Sequence, residues 1–143
     1  MKKVEIFTDG GCKGNPGPGG YGCIIKQNGD VKEIKGSHLQ TTNNIMEMTA
    51  AIVALKHLQE PCEIKLTTDS QYVVKGVTEW MKGWIRNGWK TASRQPVKNQ
   101  ELWQELHKLN QRHTITWIWV KGHNGHPENE RCDELANEAI AEL

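Results

Sequence analysis

Apolar and polar residues alternate over the first 34 positions in the manner of β-strands. Residues 3–9 mix β-branched and aromatic side chains with polar ones and end at Asp9-Gly10, which predicts a strand followed by a turn. Residues 10–22 hold seven glycines and two prolines and are interpreted as an irregular loop. Strand character returns at residues 21–27 and 31–34, on either side of Asn28-Gly29, a dipeptide that suits the positive φ angles of a type I′ turn. Three antiparallel strands are therefore expected to open the fold.

Beyond residue 42 the apolar positions follow a helical period and then alternate between helices and strands. A helix is predicted over residues 43–58, because Ile45, Met48, Ile52 and Leu55 fall on one face. The following elements are predicted to be a strand at 64–69, a short helix at 70–76 capped by Ser70, a helix at 99–111, a strand at 113–120 and a last helix opened by Pro127.

Residues 78–98 stay ambiguous in this pattern, because tryptophans at helical spacing are interrupted by two glycines and Pro96. Strands first, then strands alternating with helices, indicate an α/β protein with a mixed sheet covered by helices. The length of 143 residues fits one domain over 1–143.

Charge is balanced overall but uneven along the chain. The formal net charge is +1, which argues against a general coating of nucleic acid. Residues 75–98 nevertheless carry six cations and one anion, and the last sixteen residues carry six acids and one arginine. The four cysteines form no C-x-x-C pair, and no apolar run suits a signal peptide or a membrane span. We therefore expect a cytoplasmic protein that does not engage a membrane.

Four acids occupy positions that favour a shared site. Asp9 and Asp69 are expected to close strands, Glu47 to lie in the first turn of a helix, and Asp133 to lie on the core-facing side of the last helix. Carboxylates about 4 Å apart repel each other by about 1–4 kcal/mol per pair, depending on screening. A divalent cation such as Mg²⁺ or Mn²⁺ removes that cost and prefers oxygen ligands.

Each acid also has a structural interpretation that needs no metal. Asn44-x-x-Glu47 fits a capping box, and Asp9-Gly10 fits a turn. Asp69 fits a helix cap, and Asp133 fits a solvated surface position. Taken one at a time, these interpretations weigh about as much as the functional ones.

Four motifs in order distinguish the two interpretations, because together they closely resemble bacterial type 1 ribonuclease H. The resemblance is collinear from about residue 2 to residue 141. The motifs are Thr8–Gly22 (TDGGCKGNPGPGGYG), Thr41–Glu47 (TTNNIME), Thr68–Val73 (TDSQYV) and Trp119–Ala136 (WVKGHNGHPENERCDELA).

The resemblance implies a ribonuclease H-like fold with strand order 3-2-1-4-5 and hydrolysis of the RNA strand of RNA–DNA hybrids to 5′-phosphate and 3′-hydroxyl ends. It places Asp9, Glu47, Asp69 and Asp133 on the family's metal-binding acids, with two Mg²⁺ ions, or Mn²⁺ as a substitute, and Asp9 bridging them. His123 matches the family's mobile-loop histidine, for which proton transfer or product departure is a suitable role. A bland interpretation, an exposed loop histidine, stays open.

Substrate contacts are expected at two places. The Gly-rich segment and the start of the first helix are suited to 2′-hydroxyls and to phosphates of the DNA strand, through Cys12, Asn15, Thr42, Asn43, Asn44 and Gln71. Capping and turn formation are alternative roles for several of these residues. The cationic stretch resembles the family's basic protrusion, with Trp80, Arg86, Lys90 and Lys98 facing the hybrid.

Three rival interpretations stay open at this stage. A nuclease of the same fold could cut another nucleic acid, and a non-catalytic module could bind hybrids without cutting them. A zinc site at His123, His126 and Cys132 has no obvious fourth ligand. We expect a monomer whose partner is an RNA–DNA hybrid duplex.

Overall fold

A five-stranded mixed sheet runs through the centre of the protein in a computed structural model that describes all 143 residues. Its spatial order is β3-β2-β1-β4-β5, with β1, β2 and β3 antiparallel and β4 and β5 parallel to β1. The predicted α/β class, strand order and opening antiparallel strands are confirmed. The strands are β1 (Lys2–Cys12), β2 (Gly17–Gln27), β3 (Asp30–Thr41), β4 (Cys62–Thr68) and β5 (Thr114–Trp119).

Five α-helices accompany the sheet, and their ends carry the signals expected from the sequence. Thr42 caps the first helix by accepting a hydrogen bond from Ile45 N, Ser70 caps the second, and a proline opens the last. None of these helices combines the length and the apolar character needed to cross a bilayer. The helices are α1 (Asn43–His57), α2 (Gln71–Lys75), α3 (Met81–Arg86), α4 (Gln100–Arg112) and α5 (Pro127–Ala141).

The two faces of the sheet are covered by different helices, because successive strand residues point to opposite sides. Val4 and Ile6 of β1 belong to the main core with residues of α1 and α4. Phe7 of β1 points the other way and packs near Cys132 and Leu135 of α5. The sheet is thus held between α1 and α4 on one side and α5 on the other.

The Gly-rich stretch does not form the loop predicted over residues 10–22. β1 continues through Cys12, β2 begins at Gly17, and these strands pair directly, with only residues 13–16 between them. Gly20 and Gly22 are required by packing against α5: a Cβ on Gly22 would lie 2.5 Å from the Cys132 carbonyl oxygen. Glycine in this strand marks a close approach of two backbones, which composition alone did not distinguish from a loop.

The ambiguous segment 78–98 is helical at its start and irregular afterwards. A π-helix spans Gly76–Trp80 and continues directly into α3. The remainder is held by turns and one isolated bridge between Lys90 and Pro96. We refer to residues 81–98 as the basic protrusion.

Candidate active site

Three carboxylates from three different elements meet at one end of the sheet. Asp9 belongs to β1, Glu47 to α1, and Asp69 directly follows β4. One oxygen from each carboxylate lies within 4.8 Å of the others, a spacing that suits a shared metal ion. We call these three residues the acid cluster.

The fold brings these acids together through one parallel strand pair and one close helix contact. β1 and β4 are parallel neighbours with Thr8 opposite Thr68, so the residues that follow lie side by side. Gly10 lets α1 lie against β1, since a Cβ there would be only 2.4 Å from the Met46 carbonyl carbon and 2.7 Å from Glu47 N. This contact places Glu47 beside the strand end.

Burial and mutual repulsion oppose ionisation of the acid cluster. Burial, followed by the neighbouring Asp69 and Asp133 charges, raises the pKa of Asp9 to about 8. Burial and the charge of Asp9 likewise raise the pKa of Glu47 well above its usual range. Glu47 Oε1 and Asp69 Oδ1 are also buried without a hydrogen-bond partner. Acceptor oxygens that are buried together without donors fit a cation that supplies the missing positive charge.

Asp133 stands beside the acid cluster but outside its closest group. It lies on α5, and its side chain contributes to the raised pKa of Asp9 through charge and hydrogen bonding. Its oxygens are not part of the group within 4.8 Å. The structure therefore places Asp133 on the Asp9 side of the site.

Two sequence-based placements of these acids were wrong. Asp9 does not close its strand, because β1 pairs with β2 for three further residues. Glu47 lies beyond the first turn of α1, which contains no acid, because the helix begins at Asn43. The capping-box interpretation fails for the same reason: Thr42, and not Asn44, caps this helix. Asp69 is not a cap either, since Ser70 has that role.

Two residues that touch Asp69 were missed by reasoning from the sequence. The Trp119 indole Nε1 donates to the Asp69 carbonyl at 2.9 Å. A Cβ on Gly122 would lie 2.7 Å from Asp69 Oδ2. Neither residue type signals such a contact locally, because it depends on how the end of β5 meets the end of β4. His123 follows directly, exposed and with φ of 55°.

The Gly-rich turn is tied to the start of α1 by side-chain amides. The Asn43 Oδ1 atom accepts from Cys12 N at 2.8 Å, and Asn43 N donates to Asn15 Oδ1 at 3.2 Å. Cys12 Sγ also contacts the Gly14 carbonyl at 2.9 Å. The candidate residues Cys12, Asn15, Thr42 and Asn43 thus form one surface. Asn44, the next residue of α1, and Gln71, the first residue of α2, are both exposed.

The basic protrusion presents its cations without partners. Lys82, Arg86, Lys90, Arg94 and Lys98 are exposed, and none lies within 4.0 Å of a carboxylate. Its root is aromatic instead. Trp80 is 39% exposed and packs edge-on against Tyr72 and at a tilt against Trp84, with ring centroids 5.9 and 6.0 Å apart.

The zinc interpretation is wrong. Cys132 is fully buried, and its Sγ lies 3.3 Å from the Phe7 carbonyl, whereas His123 and His126 are exposed. The acid cluster is the one group of ligand-type side chains with metal-binding spacing.

Comparisons with known proteins point in one direction. A family model described as RNase H matches residues 1–141. The chain is 61% identical over 143 residues to a ribonuclease H from Hydrogenovibrio crunogenus, covering all of this chain and 99% of that protein.

Solved structures agree with the sequence relatives. The structure of LC9-RNase H1, described as a type 1 RNase H with the type 2 active-site motif, is similar with a TM-score of 0.89 and 34% identity, covering 99% of this chain and 74% of that chain. LC11-RNase H1 in complex with an RNA/DNA hybrid is similar with a TM-score of 0.73 and 27% identity, covering 97% of both chains.

Proposed function

The chain belongs to the ribonuclease H family, and from that membership we propose that it hydrolyses the RNA strand of RNA–DNA hybrids in a metal-dependent reaction that leaves 5′-phosphate and 3′-hydroxyl ends. Family membership makes it a hydrolase. The hybrid-bound relative supports this choice of substrate. The observation that carries the proposal is the acid cluster, in which Glu47 Oε1 and Asp69 Oδ1 are buried without a hydrogen-bond partner.

The donor set of the acid cluster fits hard divalent cations. Asp9, Glu47 and Asp69, with Asp133 beside Asp9, offer only carboxylate oxygens, which Mg²⁺ prefers and Mn²⁺ accepts. We propose that these four residues hold two Mg²⁺ ions when substrate is bound. Such ions supply activation of a water molecule and charge stabilisation of the leaving 3′-oxygen.

His123 is proposed to move a proton at the edge of the site. It is exposed and next in sequence to Gly122, which lies against the Asp69 carboxylate. An imidazole side chain can both accept and donate a proton. Its position therefore suits transfer of a proton to or from the reacting phosphate, or assistance to the departing product.

Substrate recognition is proposed to divide between two surfaces. The surface built by Cys12, Asn15, Thr42 and Asn43 offers amide groups and hydroxyl oxygens of the kind that read 2′-hydroxyls and seat phosphates. We propose the same role for the exposed side chains of Asn44 and Gln71. The capping bond of Thr42 is compatible with this role, because a hydroxyl also retains a donor.

The basic protrusion is proposed to hold the sugar–phosphate backbone of the hybrid. Arg86, Lys90 and Lys98 have no competing carboxylate, so their charge is available to phosphates. The exposed face of Trp80, at the root of the protrusion, is suited to packing against the DNA strand.

One assay tests the proposed function. End-labelled RNA–DNA hybrid, double-stranded RNA and double-stranded DNA are each incubated with Mg²⁺, with Mn²⁺ and with chelator, and Asp9→Asn prepared in parallel controls for contaminating nuclease. We expect cleavage of the RNA strand of the hybrid alone, dependent on metal, with 3′-hydroxyl ends. Cleavage of another duplex would indicate a different substrate, and tight hybrid binding without cleavage would indicate a non-catalytic module.

A further part of the proposal concerns where the protein acts and in which oligomeric state. We propose that it acts as a cytoplasmic monomer on hybrid duplexes and makes no membrane contact. The four cysteines are all free thiols, which is compatible with a reducing compartment.

A further inference from the structure

We propose that the segment from Trp119, the last residue of β5, to Gly122 is a positioning element that fixes the direction in which Asp69 presents its carboxylate. Trp119 acts on the main chain of Asp69, and Gly122 acts by having no side chain. The inference rests on the proposed function, because it assumes that Asp69 holds a metal ion. Neither residue touches the substrate or the metal in this proposal, so both are positioning residues.

Trp119 holds a carbonyl that the neighbouring helix leaves free. The α2 backbone ladder begins one residue later, where the Ser70 carbonyl accepts from Val74 N at 3.2 Å. The Asp69 carbonyl lies outside that ladder, and the Trp119 Nε1 donates to it at 2.9 Å. The indole is 42% exposed, so the Trp119 ring is not simply a core side chain.

The main chain beside this contact is held as well. Val120 N donates to the Thr68 carbonyl at 3.0 Å, which extends the parallel pairing of β4 and β5 past its last paired residues. The Thr68 hydroxyl in turn accepts from Ser70 N at 3.1 Å. The backbone on both sides of Asp69 is therefore held by hydrogen bonds, and the Trp119 indole adds the hydrogen bond to the Asp69 carbonyl itself.

Gly122 sets the room available to the carboxylate itself. A Cβ at this position would lie 2.7 Å from Asp69 Oδ2 and 3.5 Å from its carboxyl carbon. An added methyl group would force the carboxylate to turn. Asp69 Oδ1 has no protein donor that would hold it against such a push.

These observations explain how a carboxylate whose buried Oδ1 has no hydrogen-bond partner keeps a defined direction. It is oriented through its own backbone and through the shape of the space beside it. Removal of a group that orients a metal ligand in this way typically lowers metal affinity by about 10- to 100-fold. We therefore expect both Trp119→Phe and Gly122→Ala to bind metal about tenfold more weakly than the unaltered protein.

Trp117→Phe supplies a matched control. Trp117 lies on the same strand, and its indole Nε1 also donates at 2.9 Å, but to the Asn110 side chain at a distance from the acids in sequence and fold. Both phenylalanine variants thus lose one indole hydrogen bond from β5. Only the loss at Trp119 is expected to alter the metal site.

The test measures Mn²⁺ binding by calorimetric titration of each full-length variant, together with the Mg²⁺ dependence of hybrid cleavage. We expect weaker Mn²⁺ binding for W119F and G122A, a shift of cleavage to higher Mg²⁺ concentration, an unchanged KM for hybrid, and normal behaviour of W117F. Thermal melting in chelator identifies any unfolded variant. If W119F does not fold, G122A carries the test by an independent route.

Two results overturn the inference and can be told apart. If the unaltered protein cleaves hybrid and W119F and G122A bind Mn²⁺ as tightly as W117F, the positioning role is wrong and the proposed function stands. If the unaltered protein neither binds Mn²⁺ nor cleaves hybrid, the proposed function fails and the inference fails with it.

Discussion

The acid cluster and the basic protrusion are two regions in which several charges of one sign lie together without a salt-bridge partner. The acids are buried and close together, so burial and mutual repulsion raise the pKa of Asp9 and of Glu47. The cations of the protrusion are exposed and spread along an irregular segment. Charges of α5, in contrast, are paired with β3: Arg131 donates to both oxygens of Glu33 at 2.7 and 3.0 Å, and Lys35 bonds to Glu142.

The acid cluster therefore depends on a bound cation more strongly than the basic protrusion depends on a bound phosphate. A buried group of acids cannot ionise fully without a cation, so loss of one acid removes a site that works as a unit. Exposed cations are already hydrated and screened, so each contributes a small, graded share to binding. Substitutions in the first region should change catalysis by orders of magnitude, and those in the second should change binding by small factors.

The largest effect is expected for Asp9→Asn. Loss of charge stabilisation worth several kcal/mol corresponds to a fall in kcat of at least about 1,000-fold. Stability in chelator should stay equal or rise, because the variant has no carboxyl group whose ionisation is opposed by burial and by the neighbouring acids in the folded state. Kinetics and thermal melting measure the two effects. A large loss of stability would contradict the charge argument.

The same substitution should change how stability depends on pH. The folded protein holds the Asp9 proton up to about pH 8, against 3.8 for the unperturbed group, so the metal-free protein loses stability as the pH rises through that window. The asparagine side chain of the variant has no such proton, and the slope should flatten. Millimolar Mg²⁺ should stabilise the unaltered protein by ligand linkage and the variant less. Identical melting temperatures with and without Mg²⁺ would count against a preformed site.

His123→Ala should have the next largest effect, at the margin of the acid cluster. Loss of a group that transfers a proton lowers kcat by about 100-fold, with little change in KM. Steady-state kinetics on hybrid measure both constants. An unchanged kcat would show that His123 is an exposed loop residue without a catalytic role.

Tyr72→Phe tests the aromatic root of the basic protrusion, where Tyr72 packs against Trp80. The Tyr72 hydroxyl accepts from Asn99 Nδ2 at 3.1 Å and from Trp103 Nε1 at 3.3 Å, and Trp103 is fully buried. Loss of the hydroxyl leaves a buried N–H without a partner, which should lower the free energy of unfolding by about 1–2 kcal/mol. Denaturant titration measures this. A decrease below a few tenths of a kcal/mol would show that the bonds are replaced by water.

The smallest effect is expected for Lys90→Ala in the basic protrusion. KM for hybrid should rise by about three- to tenfold, kcat should hold, and the salt dependence of binding should weaken by about one counterion. Lys35→Ala is the matched control, because Lys35 is already paired with Glu138 and Glu142. A normal KM with a collapsed kcat for Lys90→Ala would refute the binding role of the protrusion.

The sequence predicted those parts of the fold that depend on local pattern. The helix α1, the proline at the start of α5 and the Asn28-Gly29 turn, whose φ values are 52° and 83°, are all as expected. The order of the strands and the identity of the acids came from the resemblance to a family. Periodicity alone would have left each acid with a structural interpretation.

The parts that were wrong depend on contacts between distant segments. Gly10 lies in β1 against α1, and Gly20 and Gly22 lie in β2 against α5; nothing in the composition of the segment shows these contacts. The π-helix at Gly76–Trp80 begins at a glycine that packs against Trp103, whose ring a Cβ on Gly76 would overlap. The contacts of Trp119 and Gly122 with Asp69 likewise appear only when β4 and β5 are paired.

Gly10 has a consequence for how the protein tolerates mutation. It carries no functional group, yet a single added carbon would collide with the backbone of α1 and move the glutamate that α1 carries. A saturation screen scored by activity should therefore rank this position among the least tolerant in the chain, alongside residues that do chemistry. The residues on which such a site depends therefore include a position where no side chain is tolerated.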